Sequence, residues 1–201
     1  CREIRGHLSN TLGKTCLYQH KYAEAKGMFD QVIDQGVTAS GQKYGLLGKY
    51  ADLFNAELDN NNESVFANQA AITAGSLANA NYEFVLNFPN NTGPGGPGNC
   101  CGFYQPSLEL ANSFRTDDAG LPLPDGTYNA PEHALKTDLG LLSSQPFTPD
   151  TGQVDPRLDH SIGRRGIPYL DWQDHPGADW IREQGYGGPY SPKKFIYYKS
   201  Q

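Results

Sequence analysis

The chain has 201 residues, 37% of them hydrophobic, with a mean hydropathy of −0.60, which is room for one domain or a piece of a larger one. Sixteen Lys and Arg against 22 Asp and Glu leave a net charge of −6, which opposes binding to a phosphate backbone and excludes nucleic acid as an expected partner. There is no apolar run of about 18 residues to span a membrane, and no basic stretch leading into an apolar one, so no signal peptide is expected.

Residues 1 to about 19 read as a helix, because Ile4, Leu8, Leu12 and Cys16 recur at steps of four. For that reason Cys1 reads as part of a packed helix and not as a lipidated terminus. Gln19, His20 and Lys21 form a short turn. Residues 22 to 35 read as a second helix with Tyr22, Ala25, Phe29, Val32 and Ile33 on one face, and Gly36 stands at its C-cap. Leu12, Gly13, Ala25 and Phe29 fall at the offsets of a tetratricopeptide repeat. The small Gly13 and Ala25 let the two helices approach closely. Cys16 and Val37 depart from the pattern, which prefers Tyr and Pro there. A single repeat cannot bury its face alone.

Leu46, Leu47, Tyr50, Leu53 and Phe54 predict a third amphipathic helix. An Asn-rich stretch follows: residues 51–100 hold eleven Asn and no Lys or Arg. Within it, Ser64–Ala67 is a predicted short strand. Asn62-Glu63-Ser64 and Asn90-Asn91-Thr92 match a glycosylation sequon that is common by chance. Residues 87–102, NFPNNTGPGGPGNCCG, read as a loop. Gly93, Gly95 and Gly98 satisfy the dinucleotide glycine pattern in letter only, since prolines interrupt it and no strand precedes it. A helix is predicted at about Ser107–Phe114, with Ser107 as cap and Leu110 and Phe114 inward. From Thr116 onward, Pro and Gly punctuate the chain with aromatics between them.

The four cysteines fit no zinc spacing. Cys16 and His20 share a helix face, but no third ligand completes a metal site, and Cys100 and Cys101 are adjacent, which strains a bridge between them. No nucleophile elbow, zinc-protease helix or P-loop occurs, and no cofactor is expected. Asp117/Asp118 and Asp171, Asp174 and Asp179 read as loop or turn acids, His175 as a turn residue, and Arg157, Arg164 and Arg165 as ion-pair anchors. What stands out is 12 Tyr, 9 Phe and 2 Trp against one Met. Rings with a polar handle suit a neutral, hydroxylated ligand. Both tryptophans lie in Asp155–Gln201, with Tyr169, Tyr186, Tyr190, Tyr197 and Tyr198. Sugar C–H faces stack on such rings, and loops on a rigid scaffold carry such sites. The candidate ligand contacts are Tyr169, Trp172, Trp180 and Tyr190.

The pieces LGKTCLYQHKYAEAKGMFDQVIDQG (Leu12–Gly36), KYADLF (Lys49–Phe54), NNESVFANQ (Asn61–Gln69), GFYQPSLELANSFRTD (Gly102–Asp117) and, within the last stretch, DPRL, GRRGIPYLDW and YGGPYSPKK resemble, in order, the SusD/RagB family of outer-membrane nutrient-binding lipoproteins of Bacteroidetes. The resemblance implies a mainly α fold: a tetratricopeptide-like helix pair at 1–36, then a loop-rich, ligand-facing region with minor β structure at 37–201. Together they would form a single domain fragment of a longer protein. It further implies a non-enzymatic, surface-exposed protein that hands an oligo- or polysaccharide to a SusC-like TonB-dependent transporter. Such a protein is held at the outer membrane by a lipid anchor that would lie outside this chain. Cys100-Cys101 before GFYQPS and His160 after DPRLD depart from the expected pattern. The resemblance fixes no ligand residue. The alternatives are a glycan-active hydrolase and a helical-repeat scaffold that grips a protein partner.

Overall fold

The computed structural model describes residues 2–67, 87–98, 101–124 and 126–201. The chain divides into two compact units, Cys1–Leu53 with Glu57–Ala70, and Phe54–Ala56 with Ala71–Gln201.

The first unit is built on α1 (Arg2–Tyr18) and α2 (Tyr22–Gln35), packed as a hairpin. Helix α1 stops in a Schellman turn. Lys21 N–H donates to the Cys16 carbonyl at 2.9 Å and His20 N–H to the Leu17 carbonyl at 3.0 Å. His20 takes the left-handed position, φ 59°, that glycine usually fills. Gly13 is the point of close approach, because a Cβ there would stand 2.8 Å from the Phe29 ring. Ala25, Val32 and Cys16 are buried, while Leu8, Leu12, Tyr22 and Ile33 are exposed. The expected seams are therefore only half filled; within this unit the hairpin turns one apolar stripe outward. Gly36 is not the left-handed cap its position suggests. It is extended (φ −68°, ψ 140°), and it must be glycine because a Cβ would sit 2.4 Å from the Val32 carbonyl and 2.5 Å from the Tyr44 ring.

The third predicted helix shrinks to a 3-10 turn at Tyr50–Phe54. The start of the predicted helix is tied elsewhere: Gly45 N–H donates to the Asn62 carbonyl and Leu47 N–H to the Glu63 carboxylate. Backbone donors committed to side chains and distant carbonyls are lost to a helix. Ser64–Ala67 forms no strand; Ser64 N–H closes a turn on Asn61.

The second unit carries α3 (Leu108–Asn112), α4 (Leu158–Ser161) and α5 (Gln184–Gly187). Two antiparallel ribbons accompany them: β1 (Ile162–Gly163) with β4 (Ser191–Pro192), and β2 (Pro168–Tyr169) with β3 (Gln173–Asp174). The expected cap holds, since Ser107 Oγ accepts from Leu110 N–H at 3.0 Å. Leu110 itself is exposed, and Ala111 takes the inward place. Ala111, Leu135, Leu158, Ile162 and Tyr190 form one core, with Leu108, Phe114 and Val154 against it. Tyr169, Trp180 and Ile196 form another, with Phe88, Leu170 and Trp172 against it.

With so little regular structure, buried side chains satisfy the loop carbonyls. Arg115 donates to the His133 carbonyl at 2.7 Å and pairs with both oxygens of Asp150 at 3.1 and 2.9 Å. Arg165 donates to the carbonyls of Leu142, Ser143 and Gln145, and so is a loop clamp and not the expected ion-pair anchor. Arg157 and Arg164 do pair with carboxylates, Asp155 and Asp159. Lys193 Nζ donates to the carbonyls of Asp159 and Pro168, both at 2.6 Å, and burial lowers its pKa to about 8.

Candidate functional site

The β2–β3 hairpin turns over Leu170, which adopts a left-handed backbone, φ 53°. That conformation is costly for a residue with a branched side chain. It places Trp172 at the surface, half-buried. The indole Nε1–H donates to the Tyr197 carbonyl at 3.1 Å, and the two rings meet edge to face at 5.7 Å. Tyr197 meets Phe88 in the same manner at 5.5 Å, and its hydroxyl accepts from Gly98 N–H at 3.0 Å. Phe195, exposed, also sits at positive φ (62°) and packs on Phe54 at 5.3 Å. Two strained non-glycine residues thus flank one row of surface rings, and strain of this kind gathers at functional sites.

The four candidate contacts separate. Trp172 alone of the four is not fully buried; it is half-buried and packs against the edge of the Tyr169–Trp180–Ile196 core. Tyr169, Trp180 and Tyr190 are 0%, 3% and 2% exposed, so none of these three rings is open to stack on a sugar. They are framework, and the reason is nonlocal. The glycine loop folds down over Trp180, so closely that a Cβ on Gly96 would lie 2.4 Å from the indole. Tyr169 meets Trp180 edge to face at 5.4 Å, its hydroxyl donates to the Pro192 carbonyl, and burial pushes its pKa upward. Tyr190 lies in the other core, its hydroxyl pushed up to about 12 by burial and the nearby Asp138 carboxylate.

Sequence reasoning missed Phe88 and Phe195, and had Tyr197 only as part of the aromatic surroundings. One signal was available: in Phe195-Ile196-Tyr197 the middle residue is buried and both rings are outward, an alternation produced here by the turn at Phe195 and not by a strand.

His175 is a buried core residue and not a turn residue. Its Nε2 pairs with Ser191 Oγ at 2.8 Å, while Nδ1 accepts from Gly177 N–H at 3.1 Å. An Nδ1 that accepts leaves the proton on Nε2, so the ring donates to Ser191 and is not placed to take its proton, the opposite of a nucleophile–base pair. Asp117 is a turn acid as expected, its Oδ1 accepting from Ala119 and Leu121 N–H. Asp171 accepts from Lys199 N–H at 2.7 Å. Among the described residues no group of three His, Cys, Asp or Glu could hold a metal, and no helix is long and apolar enough to cross a membrane. Cys16 is free and buried; Cys101 is disulfide-bonded.

The family model for the SusD family matches residues 62–199. The chain belongs to the SusD family. The match takes in the whole row of surface rings apart from Phe54, whereas the α1–α2 hairpin lies before it. A mainly helical SusD-like fold with minor sheet and long loops is what the chain displays. SusD-family proteins are carbohydrate-binding, non-catalytic components of nutrient uptake. No curated protein matches this chain.

Proposed function

We propose that this SusD-family chain is the glycan-binding part of a cell-surface uptake system, and that it passes an oligo- or polysaccharide to a SusC-like TonB-dependent transporter without cleaving it. Its place would be the outer surface of the outer membrane, with a lipid anchor outside this chain, and residues 1–201 would be part of one larger SusD-like domain. The observation that carries the reading is the row Trp172–Tyr197–Phe88 at the surface, with Tyr197 exposed and Trp172 and Phe88 half-buried, on braced loops. Rings of this kind bury the C–H faces of a pyranose, while neighbouring polar groups take its hydroxyls. Weak single contacts add up over a polymer through avidity.

A glycan array probed with the intact protein, followed by titration calorimetry, tests this. Retention of one glycan class that is lost in Trp172→Ala supports it. Release of reducing sugar from that glycan, or retention of no glycan at all, overturns it.

A further inference from the structure

Beside the row of rings lies a second patch. Gly102 N–H donates to the Phe88 carbonyl at 2.9 Å, which sets Phe103 and Tyr104, both about half exposed, next to the first patch. Gly102 has φ 65°, and a Cβ there would lie 2.9 Å from Asn90 Cβ and 3.0 Å from Arg182 Cβ. The segment is therefore pressed flat against Arg182. The guanidinium of Arg182 stacks over the Phe103 ring at 4.2 Å and donates through Nη1 to the Cys101 carbonyl at 3.1 Å. These two contacts hold an exposed arginine in one posture.

What sets Arg182 apart is that it is exposed, has no counter-charge and has a single carbonyl partner. Arg115, Arg157 and Arg164 each pair with a carboxylate, and Arg165 is buried and engaged by three loop carbonyls. Among the described residues no carboxylate lies within ion-pair distance of Arg182, and Nε and Nη2 have no partner. The adjacent Glu183 is turned away to cap α5, accepting from Gly185 N–H at 3.0 Å. A fixed guanidinium with free N–H groups at an aromatic edge is a receptor for a planar, two-oxygen anion. A sugar whose ring stacks while its carboxylate meets that fork is a uronic acid. The net charge of −6 works against a polyanion at long range, but that repulsion is screened beyond about 8 Å at physiological salt.

We propose, resting on the glycan-binding reading above, that Arg182 is a carboxylate-binding residue and that the ligand contains uronic acid. The test uses the intact protein and a panel of oligouronates (galacturonate, glucuronate, mannuronate), their methyl esters, sulfated oligosaccharides and neutral oligosaccharides, at 0.15 M salt. One oligouronate is expected to bind about tenfold more tightly than its methyl ester. Arg182→Gln and Arg182→Lys are expected to erase that preference, the lysine keeping charge but not the fork, while Trp172→Ala weakens acid and ester alike. Equal binding of acid and ester overturns the proposal, as does a preference that survives in Arg182→Gln, or a sulfated sugar bound as tightly and lost equally in that variant. Tight binding confined to neutral glycans sinks this inference and leaves the glycan reading standing, whereas silence across the whole panel removes both.

Discussion

Trp172 and Trp180 are eight residues apart and opposite in exposure: the first donates its indole N–H to the Tyr197 carbonyl at the surface, and the second lies beneath the glycine loop at 3% exposure. The contrast separates a proposed ligand contact from a core residue. Trp172→Ala is expected to lower glycan affinity by about tenfold, or about 1.4 kcal/mol, with a small change in unfolding midpoint. Trp180→Ala is expected to cost about 3–5 kcal/mol of stability. Calorimetry for binding and urea titration for stability distinguish the two. Equal effects of both variants on both measurements contradict the assignment.

The glycine loop is tested separately. An ideal Cβ on Gly96 would stand 2.4 and 2.6 Å from two atoms of the Trp180 ring, and 2.9 Å from Thr92 Cβ. Neither neighbour has room to yield, because the indole is packed against Tyr169 and His175. Gly96→Ala is expected to destabilise by about 1–3 kcal/mol. Gly93→Ala meets no atom within 4 Å but has φ 58°, so it is expected to cost only the backbone strain, about 1 kcal/mol. Equal unfolding midpoints for the two variants would refute the packing argument.

His175 makes stability depend on acid. Burial holds its imidazole down to about 3, and the Lys193 charge pushes in the same direction. The unfolded chain takes up this proton near pH 6.5, and the folded one only near 3. The contribution is therefore complete above pH 6.5 and is lost as pH falls through that window, by ~1.4 kcal/mol per pH unit. Urea midpoints measured from pH 7 to 4 should fall accordingly, and His175→Gln should flatten the curve. A wild-type profile already flat across this range would show that the ring is not held neutral.

The end of α1 offers a stabilising change. His20 occupies a left-handed position at φ 59°, where glycine carries no Cβ penalty. Its ring bonds only at the surface, to the Tyr22 hydroxyl at 2.9 Å. His20→Gly is expected to raise stability by about 0.5–1 kcal/mol, read from the unfolding midpoint. A loss of stability would mean that the His20–Tyr22 contact outweighs the backbone strain.

Local rules settled what local rules govern. The steps of three and four in residues 1–35, the cap at Ser107 and the Pro/Gly loop at 87–98 were legible, because each depends on neighbours within a turn or two of chain. The resemblance of ordered short pieces pointed to the SusD family, whose match spans 62–199. The third helix failed because Leu47 and Gly45 gave their N–H groups to residues 63 and 62. No window around residue 46 records that pairing.

The proposed binding surface was the harder matter. Composition announced that aromatic rings were abundant, but whether a ring lies inside or outside is decided by what packs on it from far away in sequence. Trp180 is covered by Gly96, Trp172 is braced by Tyr197, and Arg182 is pressed by Gly102 against Phe103. Burial is a property of long-range contacts, and it was these contacts in the tertiary structure that sorted Tyr169, Trp180 and Tyr190 into the core and left Trp172 half-buried at its edge.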